Sequence, residues 1–368
     1  MKIFFAAAFT YSRKNLPNYQ KIVKTLEKMG HEVLSKHVAD PKTKLGDGLS
    51  PEKLYARETN NAESADAMVA EITTPSWGTP FLMAHALEHN KPVLALFYGD
   101  NPQEIPLMIK GHPDLYVENY DEDNIERILK QYLEHFENQK ERKGKLIVID
   151  GGDGSGKATQ TKLLIDYLKN KKIPVKTFDF PRYYTSFHGR MVGRYLTGEF
   201  GDVNNVSPYL ISLAYAVDRA GAREEMNDWL VKGGIIITNR YTTTSMAYMS
   251  AKIPEGAKRD EFIDWLDELE YRIHRLPRED LVIYLDVPPK IGQELVDKKD
   301  NRGYTKGVKR DIHERNLAYL GEVEKVYLDL IRKKKNWIKI GCYQDHQLRS
   351  KEEIHQEILK VLKEKKII

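Results

Sequence analysis

Short continuous apolar runs alternate with longer stretches in which apolar residues recur every three or four positions, and the alternation extends over nearly the whole chain. In the first part, runs at about 2–8, 31–38, 66–72 and 92–98 predict buried strands, and stretches near 17–29, 50–64, 79–90 and 121–136 predict helices. The stretch 18–29 shows the spacing well: Ile22, Leu26 and Met29 share a face, Pro17 suits the first turn, and Gly30 ends the helix. The second part has runs at 146–149 and at about 174–179, 234–239, 281–286 and 337–341, separated by long amphipathic stretches. Strand and helix in alternation predict an α/β chain of two doubly wound parallel-sheet domains. Residues 138–144 are polar and lack apolar periodicity. The expected division is therefore a first domain over 1–137, a linker over 138–144 and a second domain over 145–368.

A length of 368 residues exceeds one ordinary hydrophobic core, in keeping with two domains. With 41% hydrophobic and 30% charged residues the composition is globular, and no run approaches the ~18 apolar residues of a membrane span. Residues 4–9 imitate a signal peptide, but a single lysine precedes a short run that passes into a polar loop, so a first strand is the reading. The one cysteine, Cys342, rules out an internal disulfide and suits a reducing compartment, so a cytoplasmic protein is expected. The net charge of +4 is mild, and the basic run 332–335 closes an amphipathic helix where it favours the helix dipole. Neither a nucleic-acid nor a membrane partner is expected.

Chemistry is concentrated at 146–160, LIVIDGGDGSGKATQ. A β-branched run breaks into a glycine loop and ends in Gly156-Lys157, the spacing of a phosphate-binding P-loop. Gly151, Gly152, Gly154 and Gly156, with Asp153 and Ser155 among them, let backbone N–H groups converge at a helix N-terminus. Lys157 is the expected contact to the β- and γ-phosphates of a nucleoside triphosphate. The next position should carry a hydroxyl for Mg²⁺ but holds Ala158, and one helical step turns Thr159 ~100° away from it.

Four further segments lie where phosphoryl transfer needs them. Phe180-Pro181-Arg182 follows the second strand of this block, so Arg182 emerges at the carboxyl edge of the sheet, able to grip a phosphate bidentately. Asn239-Arg240-Tyr241 ends the third strand and brings a second guanidinium to the same edge. Tyr215 and Arg219, four apart on one helix, offer a ring and a planar donor fork to a flat base. The loop 301–310 reads as a lid whose Arg302, Lys306, Lys309 and Arg310 close over phosphates.

In this order behind a P-loop, the segments resemble thymidylate kinase over about 145–365. The resemblance implies a P-loop nucleotide-kinase fold that binds ATP and dTMP and transfers the γ-phosphoryl group to give dTDP and ADP. By that likeness the P-loop, including Ala158 and Thr159, together with Lys306 and Lys309, holds ATP. Asp153 faces the sugar hydroxyl of dTMP, Tyr215 stacks on thymine, and Arg219 meets its carbonyl edge. Phe180 and Tyr248 line the pocket, Arg182 and Arg240 hold the acceptor phosphate, and Lys157, Arg240, Arg302 and Arg310 neutralise charge in the transition state. Two departures touch the metal: Asn239 stands for the family's usual acid, and Ala158 for the hydroxyl. Mg²⁺ is therefore expected to be held mainly through ATP phosphates, with Asp150 or Asp286 as outer-shell partners and no direct protein ligand assigned.

In the first block, HVAD at 37–40 and ARETNNAESADAMVAEITTPSWGTPF at 56–81, with KPVLALF at 91–97, resemble the flavodoxin-like nucleoside 2-deoxyribosyltransferase fold. The likeness is to its 2′-deoxynucleoside 5′-monophosphate N-glycosidase branch, over about 1–137. The family's glutamate nucleophile is matched by Leu82, its aspartate by Glu58, and its phosphate-binding serine and arginine by Ala8 and Thr10, while Ser76 survives. Glu88 is two turns from Leu82 and does not substitute for it. An alkyl group cannot attack an anomeric carbon, so this block is expected to be catalytically silent. An enzyme with both activities and a non-catalytic nucleotide sensor are the alternatives. Both resembled families commonly dimerise, which implies a homodimer.

Overall fold

The structure, a computed structural model, describes residues 1–8, 14–43, 48–101, 104–112, 114–297, 310–344 and 346–368, leaving aside the side chains of 138–141. The chain separates into two compact units, Met1–Lys140 and Glu141–Ile368.

Unit 1 runs β1 (Lys2–Ala7), α1 (Leu16–Lys28), β2 (Glu32–Leu34), α2 (Pro51–Ser64), β3 (Ala67–Glu71), α3 (Gly78–Glu88), β4 (Val93–Tyr98), α4 (Leu107–Lys110), β5 (Leu115–Tyr120) and α5 (Ile125–Glu141). Its sheet has the order β2-β1-β3-β4-β5, and every neighbouring pair is parallel. Successive strand residues point to opposite faces, and both faces are covered. Ile3 and Phe5 pack on one side with Ile22, Leu26 and Leu129, while Phe4 and Ala6 pack on the other with Ala62, Met83 and Ala86. Three details differ from the sequence pattern. β2 stops at Leu34 because Ser35 takes a left-handed turn (φ 61°) into a single helical turn. β5 is a strand that the pattern does not announce, since its residues alternate with polar Glu118 and Asn119 along the sheet edge. α5 continues to Glu141, through the first residues read as linker, because no proline or glycine interrupts it before Gly144.

Unit 2 runs β6 (Lys145–Gly151), α6 (Lys157–Asn170), β7 (Val175–Asp179), α7 (Phe187–Leu196), α8 (Pro208–Ala220), α9 (Arg223–Val231), β8 (Ile235–Asn239), α10 (Thr242–Ser250) and α11 (Ala257–Asp267). It continues with β9 (Leu281–Asp286), α12 (Pro289–Asp297), α13 (Leu317–Lys333), β10 (Trp337–Gly341), a short hairpin and the helix Lys351–Glu364. The order β10-β9-β6-β8-β7 is parallel throughout and puts β6 at the centre. Leu146 and Val148 face one apolar layer, and Ile147 and Ile149 the other. The register sets Ile149 and Asp179 on either side of Asn239, so the loops leaving β6, β7 and β8 start side by side. Among the described residues no helix is long and apolar enough to cross a membrane.

Candidate active site

Parallel strands present all their carboxyl ends on one edge, and the loops after β6, β7 and β8 meet there. Gly154, in the loop after β6, has φ +83° and comes so close to α12 that a Cβ would stand 2.2 Å from the Gly292 carbonyl oxygen. Gly152 has open space at the same point, so its lack of a side chain is no steric necessity. Lys157 is buried at the start of α6, where its ammonium donates to the Gly151 and Gly152 carbonyls at 2.9 and 2.7 Å and lies 3.9 Å from Asp153. Ala158 and Thr159 are exposed. The Ser155 hydroxyl, in contrast, is buried in the loop with no hydrogen bond from the described residues.

Arg240 leaves β8 with φ +66°, a left-handed conformation uncommon for a residue with a side chain. This turn sends its guanidinium back to the P-loop, where it pairs with Asp153 and lies 5.5 Å from the Tyr248 ring centre. The Tyr248 hydroxyl donates to the other Asp153 oxygen at 3.3 Å. Burial, with Asp153 beside it, pushes this phenol well above its ordinary pKa, so it remains a donor. Asp153 thus gathers Lys157, Arg240 and Tyr248 from α6, the end of β8 and α10.

The two carboxylates expected around Mg²⁺ are committed elsewhere. Asp150 is buried and accepts from the Gly151 N–H, Thr243, Thr244 and Tyr327, which ties β6 to α10 and α13. Asp286 pairs with Lys339 on the neighbouring strand at 3.0 Å. Open polar atoms lie at a different point. The Asn239 Oδ1 is buried and accepts no hydrogen bond from the described residues, and Asp179 is its cross-strand neighbour. Partial desolvation pushes the Asp179 carboxyl up against the pull of Arg240, Asn239 and Lys157.

A cleft opens beside this cluster, bringing together Asp153, Phe180, Tyr215, Arg219, Arg240 and Tyr248. Arg219 is fully buried: its Nε and Nη2 pair with Glu270, Nη2 also reaches Ser245 at 2.8 Å, and Nη1 reaches the Tyr241 carbonyl at 3.3 Å. Four of the five N–H donors of a guanidinium are thereby used, which leaves one Nη1 hydrogen for a ligand. His313 also lines the cleft, and burial lowers its pKa to about 3, so it stays neutral; its Nε2 lies 2.9 Å from the Tyr195 hydroxyl.

Arg182 is not among the cleft residues. Its backbone N–H and Nε reach the Asp218 carboxylate at 2.8 and 3.3 Å, and Nη2 takes the Asp218 carbonyl, because that buried carboxylate on α8 needs a cation. Arg310 is paired with Asp297 at the end of α12, and Arg302, Lys306 and Lys309 lie outside the described residues. Reasoning from sequence missed Glu270, Asp218 and His313. Glu270 lies 51 residues from its arginine, in a π-type turn without apolar periodicity, and no signal marks it. Asp218 directly precedes Arg219, and that adjacent pair was a usable signal.

In unit 1, Leu82 packs partly buried against the core layer of Phe4, Met68 and Met83. Glu58 is held by Ser35 at 2.8 Å, Arg57 at 2.8 Å and His37 at 3.4 Å; desolvation works against these partners, yet the carboxyl stays below its ordinary pKa. The Ser76 hydroxyl accepts from the Thr79 N–H at 3.3 Å, at the start of α3. Ala8 is buried, Glu88 is exposed, and Thr10 lies outside the described residues.

The thymidylate kinase family model matches residues 149–358. The thymidylate kinase of Plasmodium falciparum is 31% identical over 192 residues, which is 52% of this chain and 85% of that protein. A solved thymidylate kinase from Candida albicans covers 61% of this chain and 93% of its own, with 22% identity and a TM-score of 0.48. The N-terminal region matches proteins of another kind. The 5-hydroxymethyl-dUMP N-hydrolase of Danio rerio is 33% identical over 139 residues, 36% of this chain and 96% of that protein. A candidate 2′-deoxynucleoside 5′-phosphate N-hydrolase of Thermofilum pendens is 37% identical over 111 residues, 30% of this chain and 78% of that protein.

Proposed function

The chain belongs to the thymidylate kinase family through residues 149–358 and carries an N-terminal unit of the 2′-deoxynucleoside 5′-phosphate N-hydrolase family, and from that premise we propose that it transfers the γ-phosphoryl group of ATP to dTMP. The observation that carries this reading is the meeting of Lys157, Arg240 and Tyr248 on Asp153, beside a cleft that contains Tyr215 and Arg219. The P-loop N–H groups and Lys157 hold the ATP phosphates. Tyr215 stacks on thymine, the remaining Nη1 hydrogen of Arg219 meets one base carbonyl, and Arg240 holds the acceptor phosphate, whose oxygen attacks the γ-phosphorus. No protein nucleophile is needed. Catalysis comes from positioning and from cations placed where negative charge spreads; the further cations expected to act with them are Arg310 and, outside the described residues, Arg302, Lys306 and Lys309.

Mg²⁺ fits this donor set, although not where sequence reasoning looked for it. The unpartnered Asn239 Oδ1 and its cross-strand neighbour, the Asp179 carboxyl, are the groups that would hold the ion or its water, in place of a hydroxyl at Ala158. Such an ion would supply charge neutralisation at the transferring phosphates.

Unit 1 is catalytically silent in this reading. Leu82 is an alkyl side chain packed against the core, and Glu58 is tied to Ser35, Arg57 and His37. The protein acts in the cytoplasm as a homodimer, without a nucleic-acid or membrane partner. ADP release with dTMP, dUMP and dGMP, with and without Mg²⁺, tests the kinase against a sensor that binds without turnover. Chromatography of free bases from the same incubations tests unit 1. Base release abolished by Glu58→Ala overturns its silence.

A further inference from the structure

Away from the phosphoryl-transfer site, the metal-ligating side chains that gather most closely among the described residues are on unit 1. His85 and His89 stand four apart at the end of α3, with ring centres 4.4 Å apart, and Glu63 reaches them from the end of α2. The Glu63 Oε1 is 3.0 Å from the His85 Nε2 and 3.7 Å from the His89 Nε2, and the three donor atoms lie within 4.8 Å of one another. We propose that Glu63, His85 and His89 form a binding site for a divalent transition cation of the Zn²⁺ class, a clasp between α2 and α3.

The geometry is close to what such an ion requires. Zn–N and Zn–O bonds of about 2.0–2.1 Å at tetrahedral angles put neighbouring donors about 3.3 Å apart, and the two measured edges fall on either side of that value. The third edge, between the imidazoles, closes by side-chain rotation at a site where all three groups reach solvent. Both rings are also oriented. The His89 Nδ1 lies 2.8 Å from the His85 carbonyl, which fixes Nδ1 as the protonated nitrogen and turns the Nε2 lone pair toward Glu63. His85 stacks on Phe81, ring centres 6.2 Å apart at 19°.

Two imidazoles and one carboxylate suit Zn²⁺, Co²⁺ or Ni²⁺, and not the all-oxygen preference of Mg²⁺ or Ca²⁺. Three protein ligands leave a fourth position for water. As an ion pair alone the cluster would contribute little, because an exposed carboxylate with imidazole partners is screened by solvent.

Calorimetric titration of the full chain with Zn²⁺, and visible absorption on titration with Co²⁺, test the site. The expected result is one equivalent per chain, tetrahedral-type Co²⁺ bands, no displacement by millimolar Mg²⁺, and a melting temperature of unit 1 that rises with Zn²⁺. In His85→Ala, His89→Gln and Glu63→Gln, affinity should fall by roughly tenfold or more, with melting unchanged when no metal is added. Thermal melting without metal separates a lost ligand from a lost fold. Absence of binding to the wild-type chain, binding that persists in His85→Ala/His89→Gln, or equal competition by Mg²⁺ overturns the proposal.

Discussion

Arg219 is buried in unit 2, and its charge is tolerated because Glu270 meets it with both carboxylate oxygens. Removing one partner of such a pair leaves an uncompensated buried charge, at a cost of about 3–5 kcal/mol. Glu270→Ala should therefore lower the free energy of unfolding by that amount and raise the KM for dTMP more than that for ATP; an unchanged denaturation midpoint would show that the pair holds nothing together. Glu71 is buried in unit 1, and desolvation raises its carboxyl to about 7 despite hydrogen bonds from Thr73 and Tyr120. A raised carboxyl keeps its proton longer in the folded state, so its contribution is full below the ordinary carboxylate pKa and is lost as pH rises to about 7. The lost amount is about 3 kcal/mol. Relative to wild type, Glu71→Gln should gain stability between about pH 5 and pH 8, and a pH-independent difference would contradict this. At the metal, Ala158→Thr restores a hydroxyl to the start of α6 and should lower the Mg²⁺ concentration at half-maximal rate; an unaltered Mg²⁺ titration would mean that other groups set metal binding. Residue identity was readable where spacing imposes it, as in Lys157 and Arg240. It was not readable for Asp150 and Asp286, whose partners on α10, α13 and β10 exist only once the chain has folded.

Among the elements, the strand–glycine loop–helix unit is the one whose geometry decides most. Gly154 cannot carry a Cβ without meeting the Gly292 carbonyl at 2.2 Å, whereas a Cβ on Gly152 meets nothing within 4 Å. Gly154→Ala is thus expected to cost roughly 2–4 kcal/mol and to weaken ATP binding, while Gly152→Ala should stay within about 0.5 kcal/mol of wild type. Similar denaturation curves for the two variants would refute the contact. The strands at the sheet centres were legible because burial on both faces writes a continuous apolar run, as at Leu146, Ile147, Val148 and Ile149. The edge strand β5 and the early end of β2 were not legible. β5 mixes in polar residues, and β2 ends on a left-handed serine, a residue type that gives no such warning. Arg240 belongs to the same class: its type and place could be read, but the turn that aims it at Asp153 could not.

At the scale of the whole molecule, each unit has its own sheet with apolar layers on both faces. A chain that begins near Glu141 should fold and keep its turnover per site, since the P-loop, Arg240 and the cleft all lie in unit 2. A truncated protein that is folded yet inactive would give unit 1 a part in the kinase reaction. The two-unit architecture was legible from alternation and length, whereas the packing of Leu82 against the layer of Phe4, Met68 and Met83 became visible only in the fold. The phosphoryl group is expected to pass from ATP to dTMP among cations placed around it. The most direct measurement follows the label of γ-³²P ATP, with dTMP and Mg²⁺, in the full chain and in Lys157→Ala. Label is expected in dTDP, at a rate that falls by orders of magnitude in the variant. Binding of ATP and dTMP with no labelled dTDP, or transfer at an equal rate in Lys157→Ala, would contradict it.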